Sequence, residues 1–560
     1  MFAVLSPRPT LLGRSPGLLK GDLAVLVPHA LQAPRHNRTV LAEPPLAQVG
    51  QLLAGNRQRL AQNTLEILGR PLTDLRRQTR QVVVHTARVY LEQAGEPVPS
   101  FDDRSLLLAG HQPELFHPGV WIKNFALHGL ARLHRATPVN LVVDNDTAKS
   151  TALSLPPGEK NSGPADAFVR PLAVPFDQWA GEVPYEERRV RDEELFASLP
   201  ERVRRITSAW PFKPMLPDFW AEVLRQAERT PLLGERFAAA RRTLERRWGC
   251  HNLEVPVSAL CRTEPFAWFV CHVLADLARF HEVYNACVRA YRRRHGLRSR
   301  NHPVPDLTAE DGWLEVPLWA WHPGQPRRGR LLARPGSDGI QLRVGQEAGP
   351  KLPPISLTHP EPAVRAWLEL EGRGFKVRSR ALTNTLFARL FAADLFLHGI
   401  GGGKYDELTD EIARRFYGAE LPGFLVLSGT LLLPFPALPA RPDQCLRLAR
   451  HLRDLHCNPQ RHLLNGDLAD PTARALAERK RDWIAHQPRD AAGRRERYQE
   501  LKRLTRQLHP YLTDQERQLH QTLDGCRQTV RVNALLQRRD YAFCLFPKAQ
   551  LREFCTPLLS

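Results

Sequence analysis

The sequence predicts an α/β protein: a parallel-sheet core that carries an inserted small antiparallel sheet and is followed by a helical C-terminal region. Three observations predict it. A short apolar run, an amphipathic segment and a second apolar run succeed one another within about forty residues, the order of a β-α-β unit whose strands are parallel. Between Trp313 and Val344 the pattern changes to alternation between turn residues, as in a small antiparallel sheet. Residues 438–540 are charged and helical, punctuated only around Pro459, Pro488 and Pro510.

The bulk numbers narrow the class. A chain of 560 residues exceeds one ordinary core, and 42% hydrophobic with 25% charged residues is globular composition. No stretch approaches the roughly 20 apolar residues of a membrane span. The start, MFAVLSPRPTLLGRSPG, lacks the basic-then-apolar order of a secretory signal. The nine cysteines form no CxxC pair, and Cys261, Cys271 and Cys287 sit in apolar company. No disulfide framework is expected, which places the protein in a reducing cytoplasm. The net charge of +20 attracts nucleic acid or anionic substrates without specificity, and coding bias toward arginine explains it equally well.

Residues 1–44 are Pro- and Arg-rich without a clear period. Residues 45–95 read as two helices broken at Gly69-Arg70-Pro71, so that 1–100 form an N-terminal helical region. EPVPSFDDR is a linker. The core is expected over 101–437, with a helical insertion at about 190–250 and a β insertion at about 313–345. Within it, Ser105–Ala109 is a buried strand. A helix starts at Pro118-Gly119, with Ile122, Ala126, Leu130 and Leu133 on one face, and ends at Thr137-Pro138. Val139–Val143 is the second strand, closing on Asp144-Asn145-Asp146-Thr147. NLEVPVSALC (252–261) is a strand ending near Ser258, followed by one long helix from about Glu264 to Arg294. In 382–416 an apolar helix runs into a glycine loop, and a second helix begins at about Tyr405. GFLVLSGTLLLPFP (423–436) is strand-like, and 438–560 form a helical arm.

The stretch GHQPELFHPGVWIKNFAL (110–127) crowds hydrogen-bonding groups between a strand and a helix. In an open α/β sheet ligands bind outside the carboxyl ends of the strands. Gly110–Gly119 and Asp144–Thr147 both follow strands of one unit and should lie side by side at that edge. His111 and His117 can serve there as acid, base or phosphate contact, and Gln112 can orient a substrate. Asp144 and Asp146 can hold an amine or a cation; equally, they can cap the following segment, and His117 can simply satisfy the helix start. Lys123, Asn124 and Asn145 complete the polar set. Gly401-Gly402-Gly403-Lys404 can cradle a phosphate on backbone N–H groups, with Tyr405 and Glu407 just beyond, although the spacing is not that of a Walker loop. A flexible connection accounts for the glycines as well. Cys445, His451, His456, Cys457 and His462 match no common zinc spacing, and no metal site is expected. No GxSxG elbow and no HExxH helix is present.

Taken in order, several stretches resemble one family: Gly110-His111-Gln112 with Leu115 and Trp121, the turn Val143-Asp144-Asn145-Asp146, the long helix after Ser258 and the small sheet at 313–344. RALTNTLFARLFAADLFLHGIGGGKYDEL and the C-terminal DYAFCLFP follow. Together they resemble, distantly, the cysteine-adding ligases of bacillithiol biosynthesis, best over residues 100 to 436. The resemblance implies a Rossmann-like core related to nucleotidyltransferases and a helical coiled-coil arm that pairs two subunits. It also implies an amide-forming reaction, in which the carboxyl of cysteine is joined to the amine of glucosaminyl-malate. The chain departs from the family at named places. His111 replaces the first Gln of a GQQ motif, and Asn145 replaces the His of a DHD turn. Phe125 stands at the helix lysine, with Lys123 two residues earlier, and Gly401–Lys404 replaces a Gly-Pro-Gly-Glu loop.

The expectation is therefore an enzyme with catalytic His111, Gln112, Asp144 and Asp146, acting on a small anionic substrate, with ATP or ADP the candidate cofactor. The rivals are a basic nucleic-acid-binding protein with an inactive pocket on the same fold, an uncharacterised nucleotide-dependent transferase, and a helical scaffold dimerising through 438–540. The last is weakened by apolar positions that hold no heptad for long.

Overall fold

The computed structural model describes residues 31–157, 170–325 and 327–560. Expectations for residues 1–30, the leader among them, lie outside the described residues. The chain divides into two compact units: one made of the residues up to Leu155, Ala173–Leu433 and Arg539–Ser560, the other of Pro156–Leu172 and Pro434–Arg538.

The first unit is built on a six-stranded sheet of β1 (Thr39–Glu43), β2 (Leu106–His111), β3 (Thr137–Val142), β4 (Leu253–Pro256), β5 (Leu395–His398) and β6 (Phe424–Thr430). The spatial order is β1-β6-β5-β2-β3-β4. All pairings are parallel except that of the edge strand β1 with β6. Starting from β2, the chain adds strands first on one side and then on the other, so the order reverses between β2 and β5. Alternation along the strands divides the packing. Leu106, Leu108, Val139, Leu141, Val255, Phe396 and Val426 join a large core with Leu72–Gln93 (α1). On the opposite side Pro118–Leu133 (α2) packs against β6.

Several expected boundaries move. The first strand runs on to His111, because its ladder to β3 continues through Gly110 and His111. Thr137 and Pro138 do not end the helix but open β3; Pro138 precedes the pairing with β4, which starts at Val139, so its missing N–H costs no bond on that side. The strand at 252–261 stops at Pro256 and turns into a short helix, Val257–Leu260. The long helix is two, Glu264–Ala275 and Leu277–Arg294, broken at Asp276 with φ −131° and ψ 50°. The N-terminal region is not purely helical, since Thr39–Glu43 is an edge strand of the central sheet.

The largest correction falls on 382–416. Helix Ala381–Phe387 passes through a wide turn, Ala388–Ala392, into the buried strand β5. An apolar run of four strand residues cannot be told from buried helix by periodicity. What stops the helix is Arg76 of α1, buried, whose guanidinium donates to the carbonyls of Leu390 (2.6 Å) and Ala393 (2.9 Å) and to Asp394 (3.1 Å). The glycine triplet is not a loop. Helix α4 (Ile400–Ile412) starts one residue after β5, and the glycines form its first turn. A Cβ on Gly403 would lie 2.5 Å from Val426, and one on Gly402 would lie 2.7 Å from His398. Only glycine lets the helix approach the sheet so closely.

A second, antiparallel sheet holds Trp313–Trp321, Gly329–Gly336, Gly339–Val344 and Glu347–Leu352, with Lys376–Ser379 pairing on the far side of Trp313–Trp321. The expected small sheet is therefore present and gains two strands, Glu347–Leu352 and Lys376–Ser379, from beyond its expected end. The terminal residues 539–560 belong to the first unit rather than to the helical arm.

The second unit consists chiefly of helices Pro442–Cys457, Pro471–Ala485, Ala491–Leu508 and Thr513–Leu536, packed in pairs, the first on the last and the middle two on each other. Cys445 and Cys526 form a disulfide between the outer pair, contrary to the expectation that thiols stay unpaired. Their spacing in sequence, 81 residues, hides a neighbourhood that only the helix pairing creates. No helix among the described residues is long and apolar enough to cross a membrane.

Candidate functional site

The carboxyl ends of β2 and β3 carry the two polar loops side by side. Lys123, on the buried face of α2, reaches back 3.1 Å to the carbonyl of Gly110, and burial lowers its pKa to about 8. His111 closes β2. Its Nδ1 lies 3.1 Å from the Gln112 carbonyl, and its ring meets Phe116 edge-on at 5.1 Å. Burial, then the neighbouring Lys123 charge, push its pKa down to about 3, so the imidazole is neutral at pH 7. It can hydrogen-bond a ligand but supplies no positive charge. His117 is the N-cap of α2: its Nδ1 accepts from the Gly119 N–H at 3.1 Å, ahead of Pro118. Burial and Arg539 lower its pKa to about 4. The C-terminal DYAFCLFP segment pins this loop: the Phe543 N–H donates to the Phe116 carbonyl at 2.9 Å, and Phe543 packs on Trp121.

The turn after β3 separates its carboxylates. Asp146 accepts from Gln112 Nε2 at 2.8 Å, Arg328 at 2.9 Å and the Thr147 N–H at 2.8 Å. Burial opposes its charge, but the Gln112 hydrogen bond and Arg328 outweigh it and hold the pKa below the ordinary value. Asp144 takes the opposite course. Burial and the nearby Glu186 carboxylate raise it to about 7, against the Ser258 N–H at 2.9 Å and the Ser258 hydroxyl, which both donate to it. A carboxyl poised near neutrality is the property of a general acid or base. Asn145 lies between them, buried. Its Nδ2 donates to the Ser379 carbonyl at 2.7 Å, while its Oδ1 finds no partner among the described residues.

Two cavities share this turn. One, of about 240 Å³, is lined by Gln112, Asn145, Asp146, Trp319, Arg328 and Arg380, among others. The other, of about 410 Å³, is lined by Asp144, Glu186, Glu235, Ser258, Arg262 and Lys376, among others. In the first, Arg328 and Arg380 both stack on Trp319, at 4.6 and 4.2 Å from the ring centroid. Arg328 donates to the Asn145 carbonyl at 2.8 Å as well as to Asp146. Arg380 spends one nitrogen on the buried Glu315, at 2.7 Å; its Nε and Nη2 have no partner among the described residues. Buried donors left unbonded are rare and call for an explanation, of which an anionic ligand is one.

The remaining candidates lie elsewhere. Asn124 belongs to a buried structural network: it donates to Glu245 at 2.7 Å, as does Trp121 at 2.6 Å. Gly402 and Gly403 pack α4 on the sheet, Gly401 is exposed, and none of the three lines either cavity. The Lys404 carbonyl accepts from the Tyr291 hydroxyl at 3.0 Å, and the Tyr405 ring stands 5.8 Å from His302. Glu407 is paired with Arg294 and, at 3.0 Å, with His295. Behind the glycines lies a cluster that sequence reasoning missed. The His398 imidazole and Arg389 converge on Asp406 at 2.6 and 2.7 Å, all three buried, and Arg389 also holds Asp410 at 2.7 Å.

Sequence reasoning also missed Trp319, Arg328 and Arg380. The tryptophans of the small sheet read as core, and nothing in the alternation marks which of its arginines turn toward the α/β edge. Arg380 alone had a signal, as the first residue of the stretch resembling the ligase family. No family model matches the chain, and no curated protein matches it.

Proposed function

We propose that the chain is a small-molecule enzyme that, like the cysteine-adding ligases it resembles, joins the carboxyl of an amino acid to a small anionic amine. The reading rests first on one observation: the Trp319 cavity is lined by two guanidiniums stacked on the indole, beside the ionised Asp146, and one of them, Arg380, keeps two buried nitrogens without a partner among the described residues. Carboxylates fit the arginines and an ammonium fits Asp146, which describes an amino acid or an anionic amine. Two cavities on one turn suit a reaction of two substrates. With the amino acid in the first cavity and the amine in the second, Asp144, which lines the second, is suited to take the proton that the amine's ammonium loses as the C–N bond forms. The carboxyl oxygen must leave in the same reaction. ATP is the candidate acceptor of that oxygen on phosphate, and ADP the product. On this reading the β4-β3-β2-β5-β6 order is that of a Rossmann-like nucleotidyltransferase core, whose ligands gather at the carboxyl ends of the strands. The helical unit pairs two subunits, and nucleic acid is not the protein's main partner.

Thermal unfolding with ATP, ADP, cysteine, malate and glucosaminyl-malate tests the reading. A ligand at a hundred times its dissociation constant adds about 2.7 kcal/mol. Stabilisation by cysteine or glucosaminyl-malate that is lost in Arg380→Gln is the expected result, followed by amide formation that is lost in Asp144→Asn. A shift with nucleotide alone moves the chemistry to another nucleotide-dependent transfer. No shift with any of them overturns the proposal and favours the basic nucleic-acid-binding reading, which steeply salt-dependent RNA or DNA binding would support.

A further inference from the structure

The helical unit brings together three side chains that no spacing in the sequence relates. His456 ends helix Pro442–Cys457, His509 lies in the turn before Thr513–Leu536, and Glu516 sits in the first turn of that helix. One ligand atom from each falls within 4.8 Å of the others. His456 Nδ1 stands 3.8 Å from one Glu516 oxygen, and His509 Nδ1 stands 3.7 Å from the other. These separations are too long for hydrogen bonds. They are close to the roughly 3.3–3.5 Å between neighbouring ligands of a tetrahedral ion bound at about 2.0–2.1 Å.

A second observation fixes what faces the gap. His509 Nε2 lies 3.2 Å from the carbonyl oxygen of His456, which can only accept, so Nε2 carries the proton. In the neutral ring Nδ1 then presents a lone pair toward the Glu516 carboxylate. Two acceptors facing each other are satisfied by a cation between them. An imidazole whose outer N–H is tied to a carbonyl is also the usual support of a metal-bound histidine. The rings of His456 and His509, 4.6 Å apart between centroids, converge on the same side. His456 is largely exposed, which leaves room for water on the remaining coordination positions.

We propose that His456, His509 and Glu516 bind a divalent transition-metal ion of the zinc class. Two imidazoles and one carboxylate suit Zn²⁺, Co²⁺ or Ni²⁺ rather than Mg²⁺ or Ca²⁺, which prefer all-oxygen shells. The rival explanation of the same geometry is two protonated histidines paired with Glu516, and it makes no such discrimination.

The test uses the untagged full chain, stripped with chelator and titrated with Co²⁺ while its visible d–d absorption is followed. Zn²⁺ is then added as competitor. One Co²⁺ per chain with a low-coordinate spectrum, displaced by Zn²⁺ and not by excess Mg²⁺, is expected. Glu516→Gln and His456→Ala should each weaken binding at least tenfold with unchanged far-ultraviolet circular dichroism. Cys457→Ala, next to His456, should bind as the parent does. No Co²⁺ spectrum, or equal affinity in the parent and both ligand variants, overturns the proposal. So does a loss confined to Cys457→Ala.

Discussion

Two polar regions lie under the same sheet and are built on opposite terms. On the α2 side, helix Leu233–Arg247 (α3) lays Arg241 and Arg242 against Glu254 of β4, at 2.6 and 2.7 Å. Arg241 also holds Glu245, Arg242 holds Glu96, and Asn140 of β3 donates to Glu254 at 2.6 Å. Each charge there has an opposite charge in contact. At the carboxyl ends of the strands, Arg380 keeps two bare nitrogens, Asn145 a bare oxygen, and Asp144 a proton that it half gives up at neutral pH. Both regions are polar and largely buried, so burial does not distinguish scaffold from site. Between these two regions the difference lies in whether the groups are satisfied within the chain.

That contrast can be broken from either side. The largest effect is expected from Glu254→Ala, which takes one of two carboxylate partners from each of Arg241 and Arg242, leaves one buried positive charge uncompensated and should cost about 3–5 kcal/mol in urea unfolding. A loss under about 1 kcal/mol would mean that the network relaxes onto water or other acceptors. Next come the glycines of α4. Gly403→Ala puts a methyl group 2.5 Å from Val426 and should destabilise by about 1–3 kcal/mol despite the better helix propensity of alanine. Gly401→Ala meets nothing within 4 Å and should stabilise by about 0.5–1 kcal/mol. If both changes were neutral, the triplet would behave as the flexible connection first expected rather than as a packed turn.

The pH dependence should have a definite sign. Asp144 is raised from 3.8 to about 7 in the folded protein, so between those values the native state holds a proton that the unfolded chain has lost. Its contribution to stability is full below pH 3.8 and lost as pH rises to about 7. Asp144→Asn should flatten that fall in denaturant midpoints; an unchanged slope would place the proton elsewhere. The smallest effect on stability is expected from Asn384→Ala. This residue lines the Trp319 cavity, and the change should stay within about 0.5 kcal/mol while weakening the thermal shift given by a bound ligand.

The sequence by itself determined the β-α-β unit, since apolar runs of the right length and a helix opened by His117-Pro118 are local matters of pattern and capping. It determined that Gly110–Gly119 and Asp144–Thr147 would meet, because consecutive parallel strands bring their carboxyl ends to one edge. It also determined a small antiparallel sheet and a helical C-terminal region. Tertiary structure decided the rest. The strand at Leu395–His398 exists because Arg76, more than three hundred residues away, takes up the carbonyls where the helix ends. Gly402 and Gly403 became a packed helical turn because His398 and Val426 lie beneath them. Cys445 met Cys526, and His456 met His509 and Glu516, only when the helices paired. Arg328 and Arg380 reached the α/β edge only because the second sheet folds against it. Periodicity and capping act over a few residues and are written in the chain, whereas the partner of a buried charge is set by contacts between distant segments, which no local pattern records.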